Sequence, residues 1–412
     1  MKLDYTKCPK LEAKFCGVKL INPFLISASP SSDSREKVEH AFEAGWAGVV
    51  FKTTSLPEYA PVLAEPNMVG IDYKNLKQAG FLNTDLISER DVYTVADDIR
   101  YFKAKYPDRV LIGSIMAGEK AHWEELVSVL EDAGVDMIEL SMSCPQGEQS
   151  IAGDAEYVTQ RIPASDPELM FRVTKAVKDA TKKNTPVIVK MTPNVTDIVL
   201  IAKAAKDAGA DAVCAIDTLR GYIGLDVESG LPKLHTNGLS TWGGLSGPLL
   251  KPVALAAVTK ILTVLPDLPV SGVGGISTWE DAAEFILLGA APVQICTAIS
   301  MYGLDMVKKL CENLSKYMER KGYESIEDMR GASLKYVVEH SKLSREDRVV
   351  CSIDAEKCAK CGKCVVCCSD FGFGALSQSE PFTVPKIDAQ ACRGCGACSS
   401  VCPKSAITYK PR

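Results

Sequence analysis

The sequence predicts an α/β fold in two parts: a large domain of alternating strands and helices, and a small cysteine-rich domain. Short β-branched apolar runs alternate with amphipathic stretches over residues 1–322, as in β/α repeats. Nine of the 16 cysteines lie between Cys358 and Cys402. We therefore expect a large domain over 1–322, a linker over 323–350 and a small domain over 351–412.

The large domain contains eight strand candidates, each an apolar run that ends near a glycine or a polar residue. They are residues 23–29, 48–53, 110–116, 137–143, 186–192, 212–217, 269–275 and 292–298. Several of the intervening helices end in similar segments, FEAGWAG, EDAGVDM, KDAGADA and LLGAAPV, in which a glycine caps the helix before the next strand. Eight such units favour a closed (β/α)8 TIM barrel over the main alternative, a doubly wound open sheet.

Composition and charge exclude several classes of protein. Hydrophobic residues make up 46% and charged residues 24% of the 412 residues, and the net charge is −5, as in ordinary globular proteins. No basic block suggests a nucleic-acid partner, and no apolar run is long enough to span a membrane. Residues 1–10 carry three lysines and no apolar core, so we expect no secretion signal and a cytoplasmic protein.

The clustered cysteines form two runs with the same spacing. The run CRGCGACSSVCP follows the pattern CxxCxxCxxxCP, and CAKCGKCVVCC repeats the spacing without the proline. This spacing is typical of a ferredoxin-like domain with two 4Fe-4S clusters, whereas two zinc sites are the alternative. The expected iron ligands are Cys358, Cys361, Cys364, Cys368, Cys392, Cys395, Cys398 and Cys402.

Spacing selects Cys368 over the extra thiol of Cys367. In two-cluster ferredoxins the last cysteine of each run ligates the other cluster. If that crossover holds here, Cys402 joins the first three cysteines of the upstream run, and Cys368 joins the first three of the downstream run. Two neighbouring clusters would then form a one-electron path, which implies a redox partner at each end.

In a TIM barrel the chemistry lies where the strands end at their carboxyl termini. The glycines after the seventh strand, Gly274 and Gly275, and the end of the eighth strand, Cys296 and Thr297, match the usual phosphate site of such barrels. The alternative is that these glycines serve only tight turns. A phosphate site in a chain that also carries iron–sulfur clusters suggests FMN, because a flavin exchanges single electrons with clusters and hydride equivalents with substrates.

Two lysines and one cysteine at the same mouth are candidates for chemistry. Lys52 and Lys190 lie in apolar strands, where they would offset negative charge on a reduced flavin, unless they reach solvent. Cys144 begins the loop SCPQGEQS, and an ordinary thiol is protonated at neutral pH and able to donate a proton. The alternative for Cys144 is a small buried hydrophobic residue.

The order of motifs along the chain is more specific than any single motif. It comprises INPFLISAS, FEAGWAGVVFKT, FLNTDLISE, ELSMSCP, VKMTPNVTDI, GGLSG, GVGGI, QICTA and the two cysteine runs. In these motifs the chain resembles the catalytic subunits of bacterial NAD-dependent dihydropyrimidine dehydrogenases, within the dihydroorotate dehydrogenase superfamily. The resemblance implies FMN at the barrel mouth and an oligomeric assembly. It also implies electrons that come from an NAD(P)H-oxidising flavoprotein subunit or a ferredoxin-type donor.

The resemblance also implies roles for individual residues. Cys144 would be the acid that protonates one carbon of a conjugated double bond while hydride reaches the other. The residues implied near the flavin are Ala28, Ser29, Lys52, Thr53, Asn83, Lys190, Thr218, Gly247, Gly274, Gly275, Cys296 and Thr297. Those implied near a small cyclic unsaturated substrate are Asn83, Ser141, Ser143, Asp217 and Thr218.

Three positions depart from the pattern of the pyrimidine-reducing relatives. Ser141 and Asp217 stand where those relatives have asparagines, and Gln146 replaces a histidine. An ionised aspartate only accepts hydrogen bonds, so a ring carbonyl there would lose a donor. Three alternatives therefore stay open: a non-pyrimidine substrate, an electron-transfer subunit without its own substrate chemistry and, last, a dihydroorotate dehydrogenase. Arg161 and Arg220 are candidates to recognise substrate charge, with a solvated surface role as the alternative.

Overall fold

The structure is a computed structural model that describes residues 4–73, 76–143 and 163–412. Contacts between residues divide the chain into two compact units, Met1–Val337 and Val338–Arg412. Residues 326–329 form a short helix that belongs to the first unit.

The first unit contains fourteen strands among its described residues. In chain order they are β1 Ala13–Phe15, β2 Val18–Leu20, β3 Phe24–Ile26, β4 Gly48–Val50, β5 Met68–Tyr73, β6 Leu76–Asn83, β7 Val110–Ile115, β8 Met137–Leu140, β9 Val187–Met191, β10 Ala212–Ala215, β11 Leu219–Gly221, β12 Gly243–Ser246, β13 Val270–Val273 and β14 Val293–Ile295.

The described helices of this unit lie mostly between the strands. They are α1 Arg35–Ala44, α2 Val92–Lys105, α3 Lys120–Ala133, α4 Pro167–Ala180, α5 Ile198–Asp207, α6 Lys251–Val264, α7 Trp279–Leu287, α8 Thr297–Tyr302, α9 Met306–Lys321 and α10 Ile326–Met329. None of the helices within the described ranges has the length and apolar character needed to cross a membrane.

Eight of the strands close into a barrel in the order β3, β4, β7, β8, β9, β10, β13 and β14. All neighbours are parallel, and the ring closes where Val293 of β14 pairs with Phe24 of β3. The TIM barrel and all eight predicted strands are confirmed. The strands are shorter than predicted at their carboxyl ends. The prediction was wrong at 297–298, because β14 ends at Ile295 and α8 begins at Thr297.

The predicted glycine caps are confirmed at the ends of the helices. Gly45 after α1 has φ +110° and Gly134 after α3 has φ +86°, and each N–H bonds to carbonyls of the last helical turn. A side chain at either position would strain the left-handed backbone. These caps turn each helix directly into the next barrel strand, which keeps the strand ends aligned at one mouth.

A four-stranded antiparallel sheet, in the order β11, β12, β6 and β5, was not predicted. Its register places Gly244 of β12 opposite Asn83 of β6. The strands β11 and β12 follow the sixth barrel strand, and β5 and β6 follow the second, so both hairpin segments lie beyond carboxyl ends of barrel strands. The sheet therefore contributes walls to the same mouth.

The second unit is built on two short strand pairs and two short helices. They are β15 Val349–Ile353, α11 Lys363–Asp370, β16 Leu376–Ser377, β17 Lys386–Ile387, α12 Ala397–Ser400 and β18 Ile407–Pro411. β15 pairs with β18 and β16 pairs with β17, both antiparallel. Its small core consists largely of cysteines and a few aliphatic side chains, so little apolar area is available to stabilise it without a bound group.

Candidate functional site

The barrel mouth encloses a cavity of about 210 Å³. Most of the residues predicted to bind cofactor or substrate line it: Ala28, Ser29, Lys52, Thr53, Asn83, Ser141, Lys190, Asp217, Thr218, Gly247, Gly274, Gly275, Cys296 and Thr297. Ser143 is buried beside the cavity. Cys144, Gln146 and Arg161 lie outside the described residues, and Arg220 is exposed on β11.

Lys190 lies on the floor of the cavity within a buried polar group. Its side chain is only 7% exposed, and Nζ lies 3.6 Å from Oε1 of the fully buried Glu139 and donates to Ser27 Oγ at 3.3 Å. Burial alone would lower the pKa of Lys190, but the acidic groups around it, including Cys214 and Glu139, raise the pKa. The lysine is therefore a fixed cation at the base of the cavity, and the alternative in which it reaches solvent is excluded.

Lys52 forms a second buried cation on another wall. Its Nζ donates to Asp85 Oδ1 at 3.2 Å and lies 3.7 Å from Asp33 Oδ2. Burial raises the pKa of Asp85, and the charge of Lys52 opposes that rise. Two buried lysines thus face one cavity, and neighbouring carboxylates hold both ammonium groups in place, where they could donate hydrogen bonds to a ligand.

The buried pair of Lys190 and Glu139 leads to a stability prediction. Replacing Lys190 with methionine should lower the free energy of unfolding of the barrel by about 3–5 kcal/mol, because Glu139 would remain buried without its countercharge. The double variant Lys190→Met/Glu139→Gln should recover part of the loss. Urea unfolding followed by tryptophan fluorescence measures this, since all four tryptophans lie in the first unit.

A surface pair offers a matched control. Lys19 Nζ lies 2.9 Å from Glu12 Oε2, but both side chains are substantially exposed, so Lys19→Met should change the unfolding midpoint little. Equal losses in Lys19→Met and Lys190→Met would contradict the buried-pair argument.

Asp217 presents a carboxylate to the cavity. Its Oδ2 accepts a hydrogen bond of 2.5 Å from Ser143 Oγ, and its Oδ1 accepts one of 2.7 Å from the backbone N–H of Thr218. Each oxygen retains further acceptor capacity. The side chain is therefore held in place by the protein and offers acceptors, not donors, to a ligand.

The glycine turn after β13 forms another wall. Gly274 and Gly275 have φ of +123° and +78°, and a Cβ on Gly275 would lie 2.6 Å from the backbone nitrogen of Lys251. Beside this turn, the buried Ser277 Oγ has no hydrogen-bond partner among the described residues. Thr297 Oγ1 donates to Ser246 Oγ at 2.9 Å at the start of α8. These hydroxyls and the glycine backbone could hold a phosphate.

Three of the cavity residues that were not predicted from the sequence carry a charge or an amide. Glu139 and Gln294 are fully buried, and Gln294 Nε2 donates to Glu139 Oε2 at 3.2 Å. Asp85 is the partner of Lys52 described above. The sequence signal for Glu139 and Gln294 was a charged or amide side chain inside an apolar strand, in MIEL and PVQI. Such a residue is costly to bury and so indicates a polar network.

The cysteines of the second unit surround two separate cavities. Besides Cys351, which lines the second cavity, the thiols divide into two sets of four. Cys358, Cys361, Cys364 and Cys402 line the first cavity, and Cys368, Cys392, Cys395 and Cys398 line the second. This is the grouping expected if the last cysteine of each run crosses over. Cys367 is absent from the lining of both cavities.

In each cavity of the second unit, the four expected ligand thiols line the same space. In the described part of the chain, no group of three or more Cys, His, Asp or Glu side chains is arranged to hold a single metal ion. Soft thiolates in fours, with glycines at the tight turns of each run, are a donor set that suits an iron–sulfur cluster.

A barrel with a polar mouth joined to a cysteine-rich unit of this kind defines a class of redox enzyme. Residues 10–318 match the family model described as dihydroorotate dehydrogenase, and residues 351–409 match the model of a 4Fe-4S dicluster domain. The chain therefore belongs to the dihydroorotate dehydrogenase family and is an oxidoreductase. The two matches together imply iron–sulfur and flavin as its kinds of cofactor.

Three relatives indicate the branch of the family. The chain is 38% identical to the NAD-dependent dihydropyrimidine dehydrogenase subunit PreA of Escherichia coli K12, over 96% of this chain and 94% of that protein. It is 35% identical to the chloroplastic dihydropyrimidine dehydrogenase (NADP(+)) of Arabidopsis thaliana, over 85% and 83% of the two chains. The catalytic subunit of dihydroorotate dehydrogenase B (NAD(+)) of Pyrococcus abyssi is 34% identical, over 79% and 99%. The resemblance predicted from the motifs is confirmed.

Proposed function

We propose that this enzyme reduces a carbon–carbon double bond conjugated to a carbonyl in a cyclic, pyrimidine-like substrate. FMN would bind in the barrel cavity, and electrons would arrive through two 4Fe-4S clusters in the second unit. The observation that carries the proposal is the convergence of two buried lysines, a glycine turn and a carboxylate on one cavity, in a chain that also has two cavities lined by cysteine thiols.

The residues of the cavity fit a flavin nucleotide. Lys190 and Lys52 supply positive charge for the edge of an anionic ring system, and Ser277, Ser246 and Thr297 supply hydroxyls beside the glycine turn for a phosphate. FMN, when bound, supplies hydride transfer to carbon and single-electron exchange with iron–sulfur clusters.

Side chains of the protein would stabilise charge, deliver the proton and limit access of water. The Lys190 ammonium, held by Glu139 and Ser27, would stabilise negative charge without having to reorient during the reaction. Cys144 would deliver a proton to the carbon next to the carbonyl, a step for which positioned general acids contribute rate enhancement. Phe81 and Met68, from the antiparallel sheet, line the cavity and would limit access of water.

The two sets of thiols would hold the clusters as a one-electron path. The sequence contains no GxGxxG motif for a dinucleotide, so the reducing equivalents would come from a partner, either an NAD(P)H-oxidising flavoprotein subunit or a ferredoxin-type donor. The relatives from Escherichia coli and Pyrococcus abyssi are themselves named as subunits, which supports an assembly of this kind.

One observation favours a second candidate, a non-pyrimidine cyclic substrate. Asp217 offers only acceptors, and Ser143 and Thr218 hold it in place. A ring that presents an N–H or amino group at this position would gain a hydrogen bond, whereas a ring carbonyl would meet a negative charge. The enzyme chemistry would be unchanged, and only the substrate would differ.

The test is anaerobic purification followed by cofactor analysis and a substrate screen. We expect extractable FMN, iron with acid-labile sulfide in place of zinc, and oxidation of the reduced enzyme by uracil or thymine. Oxidation by other unsaturated rings but not by uracil or thymine would favour the second candidate. Protein that contains zinc and no flavin would contradict both.

A further inference from the structure

The two cysteine cavities have different walls, although the same pair of strands borders both. In the antiparallel pair of β15 and β18, Cys351 is opposite Tyr409, and Ile353 is opposite Ile407. Cys351 and Tyr409 line the second cavity, while Ile353 and Ile407 line the first. One cavity is therefore bordered by a thiol and a phenol, and the other by two aliphatic side chains.

Cys351 lies in contact with one of the expected iron ligands. It is 2% exposed, and its sulfur is 3.9 Å from that of Cys392. A thiolate bound to iron carries no proton, so in this pair Cys351 is the one that can donate an S–H hydrogen bond. The Tyr409 hydroxyl lies 2.6 Å from Ser399 Oγ and is engaged there.

We propose that the Cys351 thiol is a positioning residue that donates a hydrogen bond to the Cys392 sulfur and raises the reduction potential of the second-cavity cluster above that of the first. The inference rests on the proposed function in one respect, the presence of both clusters. Reduction adds negative charge to the cluster sulfurs, so a hydrogen-bond donor stabilises the reduced form. Ile353 and Ile407 offer no such donor to the first cluster.

The proposal also predicts the order in which the two clusters would be reduced. The first electron to enter the second unit would reside on the second-cavity cluster, and the first-cavity cluster would be reduced only at lower potential. Backbone N–H groups donate to expected ligand sulfurs in both cavities, for example Ala406 to Cys402 in the first and Gly394 to Cys392 in the second. The asymmetry would therefore arise from the side-chain donor in β15.

The test is a potentiometric titration of the anaerobically purified full chain, followed by electron paramagnetic resonance. In Cys351→Val, a change that removes the donor and keeps similar volume, the reduction equilibrium of the higher-potential cluster should shift about tenfold toward the oxidised form. For one electron this corresponds to about 59 mV. The gap between the two midpoint potentials should narrow by that amount while iron content stays the same.

Two further variants complete the experiment. Cys351→Ser keeps a donor and should lie closer to the wild type than the valine variant does, and Ile353→Val, at the corresponding position of the other cavity, should leave both potentials unchanged. An unchanged or wider gap in Cys351→Val would overturn the proposal. So would loss of iron from that variant, because Cys351 would then be a ligand. Wild-type protein without iron would overturn the proposed function as well.

Discussion

Turnover of the unsaturated substrate should fall by roughly 10² to 10⁴ when Cys144 is replaced with alanine, because a positioned general acid typically contributes that much to rate. The role is inferred from the SCP motif and from the position of Cys144 after the fourth barrel strand. The adjacent Ser143 is buried and donates to Asp217, which lines the cavity. The measurement is steady-state substrate reduction with an artificial electron donor.

The control separates the loss of an acid from the loss of a thiol in general. Cys8, whose sulfur lies 3.6 Å from Ser315 Oγ and which is not among the cavity-lining residues, should tolerate alanine with full turnover. Flavin content should be the same in the two variants. If Cys144→Ala retained wild-type turnover, Cys144 would not be the acid. If the wild-type protein itself showed no substrate reduction, it would fit an electron-transfer subunit without its own substrate chemistry better than a reductase.

The barrel could be predicted because its signals are local and repeated. Each strand is an apolar run of a few residues, and glycines such as Gly45 and Gly134 mark where helices stop, so the order of elements follows from the chain itself. The cavity-lining residues at the strand ends follow from the same order, since all parallel strands of a barrel open at one mouth.

The parts that could not be predicted depend on contacts between distant segments. The antiparallel sheet joins strands as far apart as Met68–Tyr73 and Gly243–Ser246, and its glycine-rich members show no alternating pattern. Glu139 and Gln294 meet across the barrel from strands β8 and β14, so their pairing is invisible in either motif alone. Cys351 lies outside both cysteine runs, and only the pairing of β15 with β18 brings it to the second cavity.

Replacing Cys402 with alanine should remove the cluster of the upstream cysteine run, although Cys402 belongs to the downstream run. Cys402 lines the same cavity as Cys358, Cys361 and Cys364, and a cubane that loses one of four thiolate ligands is destabilised. We expect a loss of about half of the iron, as for one of two clusters. We also expect a large loss of turnover with a physiological one-electron donor, because the proposed path between donor and flavin would be interrupted.

Matched cysteine variants decide whether the ligands cross over. Cys402→Ala and Cys358→Ala should leave the same residual paramagnetic signal, and Cys395→Ala should leave the other one, because Cys395 lines the second cavity. Cys367→Ala should keep both clusters, since this thiol lines neither cavity. If Cys402→Ala and Cys395→Ala instead shared a residual signal, each run would bind its own cluster. The grouping of thiols around the two cavities would then not be the grouping of ligands around iron.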